Sequence, residues 1–249
     1  MKKKFSIKKI AFVAVVALLT MLVAIGSLSY FYQDKLIALF VEELNRHLKA
    51  KVEVEKIDFS VWDKFPQAAF TLTKPKIMSS ADSSVVLAQA EELYFTFSLR
   101  DLWHKQYKVT ELSMENGFIK LVVDEKGNPN YLVYQSADTA AGDALSFNLE
   151  KITLKNVAIS YDNLQTKQLY DTHTDDLIAS LGITDKGMEI AAKGNVLVKA
   201  ARIGKQTWLR EKQVALNTLM LLDTDKQHLT IKPSELRIQK AVKLQRIEP

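Results

Sequence analysis

The spacing of apolar and polar residues divides the chain into three parts. Residues 10–32 (IAFVAVVALLTMLVAIGSLSYFY) carry no charge. Over residues 34–49 an apolar side chain recurs every four positions, which predicts an amphipathic helix with one buried stripe. The stripe residues are Leu36, Phe40, Leu44 and Leu48. From Lys51 onward the period changes to two, which predicts strands. The pattern therefore indicates a mainly β body that follows an apolar segment and one helix.

The uncharged run predicts a transmembrane helix. As a helix its 23 residues would be about 35 Å long, enough to cross a hydrocarbon core of roughly 30 Å. Five lysines precede it within residues 1–9, and Tyr30, Phe31 and Tyr32 end it. This bias predicts a cytoplasmic tail over 1–9, a span over 10–32 and a body on the far side of the membrane from residue 33. A cleaved secretory signal is the alternative, and it would also export the body.

The clearest strand signal lies between residues 85 and 99. Leu93, Phe95, Phe97 and Leu99 face one way, and Tyr94, Thr96 and Ser98 face the other. A short helical piece is expected near 99–105. The remaining predicted strand segments are 51–55, 69–77, 107–124, 147–162 and 196–199, with a hairpin over 180–192 and a strand pair at 212–222 and 228–238.

Two stretches of the chain resemble each other at an offset of 40 residues. VTELSMENGFIKL (109–121) aligns with LEKITLKNVAISY (149–161), so that Asn116 corresponds to Asn156. In both copies the apolar alternation changes parity at the asparagine, as a β-bulge produces. Asn116-Gly117 alone would also suit a tight hairpin. A repeated unit predicts an elongated sheet of stacked strands.

Charge argues against a nucleic-acid surface on the body. The chain has 34 Lys and Arg against 29 Asp and Glu, a formal net charge of +5. Without the five lysines before the apolar run, the basic residues number 29 and equal the acidic ones. The excess of positive charge thus belongs to the membrane flank, whereas nucleic-acid binding needs a basic patch on the folded domain.

No arrangement of residues in the sequence indicates catalysis. The chain has no cysteine, and its four histidines are scattered without metal-ligand spacing. Its eight glycines form neither a GxGxxG nor a Walker pattern, and there is no GxSxG. The expectation is a protein with no catalytic residues, no metal site and no cofactor.

The order of parts is similar to the N-terminal region of the AsmA-like family of envelope proteins. The segments that carry this resemblance are LNRHLKAKVEVEKIDFSVW (44–62), FTLTKPKIMS (70–79), VLAQAEELYFTFSLRDLW (86–103), YKVTELSMENGFIKLVVDEKGNPNY (107–131), FNLEKITLKNVAISYDN (147–163), MEIAAKGNVLV (188–198) and VALNTLMLLDTDKQHLTIKPSELRI (214–238). The resemblance covers nearly the whole chain as an architectural pattern. It contains no catalytic motif, so no functional residue is carried over from it.

The resemblance implies a repeating β-groove akin to the bridge-like lipid transfer proteins. The implied architecture is a transmembrane helix, one amphipathic helix and an elongated, twisted antiparallel sheet over 33–249 with an apolar inner face. The implied function is phospholipid transport and outer-membrane lipid homeostasis from the inner membrane of a diderm bacterium, with the body in the periplasm. Members are usually several times longer than 249 residues, so the chain is expected to be a portion of a longer architecture or a small member that works with other envelope proteins.

Within this picture, Leu93, Phe95, Phe97 and Leu99 are the predicted lipid-facing residues. The acyl chains of phospholipids are the predicted ligand, the inner membrane is the predicted site of attachment, and no nucleic acid is expected. Three alternatives stay open: a packed sandwich core with no room for lipid, a scaffold for outer-membrane protein assembly that binds through a strand edge, and a tethered enzyme.

Overall fold

The computed structural model describes residues 16, 20, 33–42, 44–46, 48–104, 107–133, 145–184, 187–223, 228–231 and 235–238. Most of the predicted span over 10–32 lies outside these residues. Val16 and Thr20 are both helical, and the Thr20 hydroxyl donates to the Val16 carbonyl at 3.0 Å. Across the part of the chain that is described, no helix is both long and apolar enough to cross a membrane.

Two helices lie where the periodicity predicts them. The first, α1, comprises residues 33–42 and 44–46, and the second, α2, is Leu99–Trp103. The Ser98 side chain caps α2 by accepting a hydrogen bond from the Asp101 N–H, which satisfies one of the free donors at a helix start. The predicted helix at 34–49 and the short helical piece near 99–105 are both confirmed.

The rest of the described chain is mainly strand, as predicted. The strands are β1 (Val52–Glu53), β2 (Lys56–Ser60), β3 (Gln67–Thr73), β4 (Lys76–Met78), β5 (Val86–Ser98), β6 (Tyr107–Val123), β7 (Leu145–Asn163), β8 (Gln168–Thr184), β9 (Gly187–Ile203), β10 (Gln206–Asp223), β11 (His228–Ile231) and β12 (Glu235–Ile238). Strands β6 to β10 each run 17 to 19 residues.

All twelve strands belong to one twisted, open sheet in the order β1-β4-β5-β6-β7-β8-β9-β10-β11. Strand β3 pairs with β5 beyond the part of β5 that pairs with β4, and β2 pairs with the outer side of β3. At the other edge, β11 and β12 both pair with β10, at different parts of its length. Within the described strands, β1 and β11 end this order and do not pair with each other, so the sheet is not closed.

Two predictions about the strands need correction. The sheet is antiparallel except at β6 and β7, which pair in parallel, because the connection between them returns to the end of the sheet where β6 began. The hairpin predicted at 180–192 is confirmed, because Ser180 pairs with Ala191 and Thr184 pairs with Gly187, but its strands β8 and β9 are longer than predicted. Strand β9 includes the short strand predicted at 196–199, and β10 begins at Gln206 rather than at 212.

The two similar stretches lie side by side. Leu112 pairs with Ile152, and Ile119 pairs with Ile159, so from Glu111 onward each paired residue faces its counterpart 40 positions later. Both strands continue through the asparagine, which has a φ of 53° at Asn116 and 52° at Asn156. The left-handed residue inside a continuous strand rules out a hairpin and lies where the alternation changes parity. The pairing with β5 and β8 keeps one register on both sides of it, so this feature, which we call the bulge, adds no unpaired residue.

The core forms where α1 packs on the sheet. The Phe40 ring stacks on Phe70 with centroids 4.3 Å apart, and its edge contacts Phe95 and Phe97 at 5.2 and 6.4 Å. Leu44 is buried one turn later. The apolar stripe of α1 is therefore buried against β3 and β5, as an amphipathic helix requires.

Candidate functional site: the apolar face of the sheet

One face of the sheet carries an aliphatic row that crosses six neighbouring strands. In this row Leu93 of β5 pairs with Met114, and the pairing continues through β7, β8 and β9 to Leu216 of β10. The row consists of Leu93, Met114, Leu154, Leu177, Gly194 and Leu216. Leu93, Met114, Leu154 and Leu177 are buried and Leu216 is half-buried.

A second row on the same face runs parallel to the first across the bulge. Its members are Ala90, Gly117, Val157, Thr174, Val196 and Val214. Val157 and Thr174 are almost fully buried, and the Thr174 hydroxyl donates to the Asn195 carbonyl at 2.9 Å. This internal hydrogen bond lets a threonine occupy an apolar row, because its hydroxyl needs no water.

The bulge keeps both rows on one face. Met114 and Gly117 differ in parity, as do Leu154 and Val157, so in a regular strand they would point to opposite faces. The left-handed asparagine between them changes the direction in which the following side chains point, without a shift in the strand pairing. The side chains of the two asparagines are joined, since Asn156 Nδ2 donates to Asn116 Oδ1 at 2.7 Å.

Helix α1 contacts the start of the apolar face, and the face continues beyond the width of one helix. The helix packs on β3 and β5 through Phe40. A helix about 10 Å wide spans two or three strands at a spacing of about 4.8 Å, whereas the face from β5 to β10 is about 24 Å wide. Half-buried aliphatic residues continue beyond the helix. They include Ile152, Ile159 and Leu216.

The four residues predicted to face lipid lie at the covered end of this face. Leu93, Phe95 and Phe97 are buried in the cluster that packs against α1, and Leu99 is half-buried at the start of α2. The structure brings the first three together on one face, as the alternation predicts. Contact of this face with lipid stays a prediction, and at these residues it would require α1 to leave its place.

The opposite face is polar and is crosslinked by ion pairs between strands. Glu111 and Lys151 are 3.1 Å apart, and Glu115 and Lys155 are 3.0 Å apart. The hydrogen bond that Lys155 donates to the Glu115 carboxylate raises the pKa of Lys155. Such surface pairs contribute little stability individually, but they show which face meets water. The sheet is therefore amphipathic at β6 and β7.

A polar cleft of about 560 Å³ opens on this polar face beside β2 and β3. Its walls include Asp58, Lys64, Glu92 and Tyr94, and Lys64 Nζ lies 4.3 Å from the centroid of the Tyr94 ring. Burial and a hydrogen bond to Glu92 raise the pKa of Tyr94 above its usual value. Tyr94 therefore stays protonated as a donor to the Glu92 carboxylate at neutral pH.

Titratable side chains do not converge on a catalytic or metal site in the described part of the chain. Nowhere among those residues do three His, Asp or Glu side chains come close enough to hold a metal ion. His173 lies 3.4 Å from Asp175, which is fully at the surface. His104 Nδ1 lies against the Arg100 carbonyl at 2.7 Å. These contacts satisfy each imidazole locally.

Sequence reasoning missed the part of the apolar face that belongs to β8, β9 and β10. Leu177, Val196 and Leu216 are members of the two rows, but the strands around Leu177 and Val196 were predicted too short or not at all. Alternation is present over 194–198, where Gly194, Val196 and Val198 share the apolar face. That signal could have extended the predicted strand.

Comparison with known proteins adds the family. The profile of the AsmA family matches residues 1–229, most of the chain, including the whole of the described sheet as far as β10. No curated protein matches the chain. The chain therefore belongs to the AsmA family, a family of envelope-associated proteins.

Proposed function

We propose that this chain handles phospholipid at the bacterial cell envelope, and that the apolar face of its sheet receives the acyl chains. In this proposal residues 10–32 anchor the chain in the inner membrane with residues 1–9 in the cytoplasm. The body from residue 33 lies in the periplasm. The observation that carries the proposal is the apolar row from Leu93 to Leu216, which extends beyond the helix that covers its start.

The free energy of hydration makes such a face useful for lipid. An acyl chain of about 16 carbons exposed to water costs on the order of 13 kcal/mol, at about 0.8 kcal/mol per methylene. An aliphatic row that crosses successive strands offers nearly equivalent contacts at each step. An acyl chain can then move along the row without leaving an apolar environment.

An amphipathic sheet suits this role better than a closed core would. The polar face carries the Glu111–Lys151 and Glu115–Lys155 pairs and can meet water, while the other face stays apolar over β5 to β10. The described strands form an open sheet rather than a closed barrel. In this proposal, lipid reaches the apolar face from an edge of the sheet. We propose no catalytic step and no cofactor.

Photo-crosslinking in cells tests this proposal on neighbouring residues. Leu216 is half-buried in the apolar row, and Asn217, the next residue, is exposed on the polar face. A photo-reactive residue at 216 should capture phospholipid, detected by mass spectrometry of the purified adduct, whereas the same residue at 217 should not. Equal lipid capture at both positions, or none at 216, would contradict the proposal.

The alternative is a scaffold for outer-membrane protein assembly that binds a client strand at a sheet edge. The β1 and β2 edge carries the ion pairs Lys51–Glu53 and Lys56–Asp58, at 2.6 and 2.7 Å. Charged side chains of this kind protect an edge from pairing with another strand. Capture of precursor proteins along the β1 and β2 edge, with no lipid at 216, would favour the scaffold.

A further inference from the structure

Two aromatic rings project into solvent from the turn that joins β2 to β3. Trp62 is 47% exposed and Phe65 is 57% exposed, and their ring centroids are 6.3 Å apart. Both residues belong to the segment 61–66, which we call the aromatic turn. Adjacent large apolar side chains at a surface mark a site of association.

The aromatic turn is internally ordered. The Ser60 hydroxyl accepts hydrogen bonds from the N–H groups of Trp62 and Asp63 at 3.1 and 3.2 Å. The Phe65 N–H donates to the Trp62 carbonyl at 3.3 Å, and the Gln67 N–H donates to the Lys64 carbonyl at 2.9 Å. The backbone thus holds the two rings outward before any partner binds, which lowers the entropy lost on association.

The aromatic turn lies at the end of the sheet where α1 begins. Gln67, which follows the turn, pairs with Ser98 at the end of β5. The last residues of α1 lead to Lys51, whose carbonyl accepts a hydrogen bond from the N–H of Met78. Met78 in turn pairs with Val86, so the C-terminal end of α1 lies near the start of β5. Helix α1 therefore runs against the direction of β5, with its first residues at the Ser98 end.

The uncharged run joins the first residue of α1 in sequence, and that residue lies at this same end of the sheet. Phe40 packs over Phe95 and Phe97, and Gln33 lies about 10 Å further along the helix axis toward the end of β5. Residue 32 is the last of the 23 uncharged residues that precede α1. Any bilayer that holds this run meets the body beside the aromatic turn.

We propose that the aromatic turn inserts Trp62 and Phe65 into the headgroup region of the bilayer that holds the anchor. Tryptophan and other amphipathic rings favour this region, where the ring is buried and its polar edge stays hydrated. The turn and the anchor then form two contacts with one membrane, which fix the direction in which the sheet leaves its surface.

The chain provides a matched control at the opposite end of the sheet. Trp208 is 66% exposed near the start of β10. The alternating strand directions place this residue at the end where β5 starts, away from the aromatic turn. An exposed tryptophan that only sticks to lipid should do so at either position, whereas the proposal predicts contact at Trp62 alone.

Fluorescence quenching in vesicles tests the proposal with the full chain. Two single-tryptophan proteins are compared, one that retains Trp62 (Trp103→Phe and Trp208→Phe) and one that retains Trp208 (Trp62→Phe and Trp103→Phe). Both are reconstituted into vesicles of phosphatidylethanolamine and phosphatidylglycerol with acyl chains brominated near the headgroup. Trp62 should lose roughly half of its emission and Trp208 less than about a tenth, as expected for a ring at the interface and a ring in water.

A second measurement leaves all three tryptophans in place. The chain has no cysteine, so Asp63→Cys and Lys205→Cys each create one labelling site, both at exposed positions. An environment-sensitive dye should shift its emission to the blue at 63 and not at 205 in the same vesicles. Equal behaviour at the two ends in both measurements, or crosslinking of position 63 to a protein without lipid quenching of Trp62, would overturn the proposal.

This inference rests on the membrane anchor and not on lipid transport. Loss of quenching at Trp62 would leave lipid capture at Leu216 unaffected, and the reverse also holds. The two experiments therefore separate failure of the proposed orientation from failure of the proposed function.

Discussion

At the scale of single residues, the bulge explains why Asn116 and Gly117 stand together. Asn116 has a φ of 53°, a conformation that asparagine tolerates better than most side chains. A Cβ added at Gly117 would lie 2.2 Å from the Gln89 carbonyl oxygen and 2.9 Å from the Ala90 Cα, both in the β5 backbone. Gly117 is thus needed because β5 approaches the bulge closely. Its counterpart, Val157, is fully buried between β6 and β8 and meets no such constraint.

Replacing Gly117 by alanine should destabilise the protein. The new methyl group would collide with backbone atoms that can move only if β5 shifts, which costs about 1–3 kcal/mol. Chemical denaturation of the purified body gives the free energy of unfolding.

Gly182→Ala serves as the control for this substitution. The nearest atom to a Cβ at Gly182 is 3.8 Å away, so the same change should be neutral or slightly stabilising in a strand. Equal losses at the two glycines would mean that chain entropy, and not the close approach of β5, decides the effect.

The sequence revealed this bulge only because it occurs twice. Asn116-Gly117 by itself is also typical of a hairpin turn. The second copy has Asn156-Val157 with the same change of parity, and valine does not suit a turn that needs a positive φ. What no sequence pattern could supply was the 2.7 Å contact between the two asparagine side chains, because that contact depends on the parallel pairing of β6 with β7.

At the scale of elements, α1 fixes which face of the first strands is core. Alternation identified Leu93, Phe95 and Phe97 as one face but could not tell what lies against it. The four-residue period of α1 showed a buried stripe but not its partner. The aromatic contacts of Phe40 show that the stripe of α1 packs against this face of β5. This packing could not be predicted from the sequence of either segment alone.

Phe40→Ala should weaken the docking of α1 strongly. Removal of the ring would leave a cavity among Phe70, Phe95 and Phe97, with an expected cost of about 3–5 kcal/mol in the free energy of unfolding. Leu39→Ala, one residue earlier and 37% exposed, should cost less than about 1 kcal/mol. Thermal or urea unfolding of the two variants measures the difference, and similar losses at both positions would show that α1 does not pack as described.

Strand β8 was under-predicted because polar residues occupy its apolar rows. Thr172 and Thr174 stand where alternation calls for aliphatic side chains. Their hydroxyls donate to the carbonyls of Ile159 and Asn195, both at 2.9 Å. A threonine satisfied in this way behaves as an apolar residue in the sheet, yet it interrupts a pattern read from hydrophobicity.

At the scale of the whole molecule, the sheet is a one-dimensional series in which strands contact mainly their neighbours. The Phe40 ring of α1 contacts β3 and β5 directly, whereas β8 to β10 are joined mainly by their ladders, with Leu177 and Val196 at the far side of the same buried cluster. In such a series stability is set locally, by each strand and its interfaces. We therefore expect the free energy of local unfolding to differ between the strands of the described sheet.

Hydrogen exchange measured by mass spectrometry should show this difference. Amides of β5 and β6 should exchange more slowly than amides of β9 and β10, because opening near α1 must break the aromatic cluster as well as the ladder. In Phe40→Ala, exchange should become faster in β3 and β5 and stay unchanged in β9. Uniform exchange across the sheet, or equal acceleration everywhere, would indicate one cooperative unit.

The pairing of each residue with its counterpart 40 positions later also constrains how this protein can vary over evolution. A single inserted residue within β6 or β7 would turn every later side chain of that strand to the other face, unless a further left-handed residue such as Asn116 turned them back. An extra hairpin added beyond β11 and β12 would leave every existing pair intact. Relatives should accordingly differ in length by whole hairpins, and their insertions should fall in turns or at positions where a bulge resets the alternation.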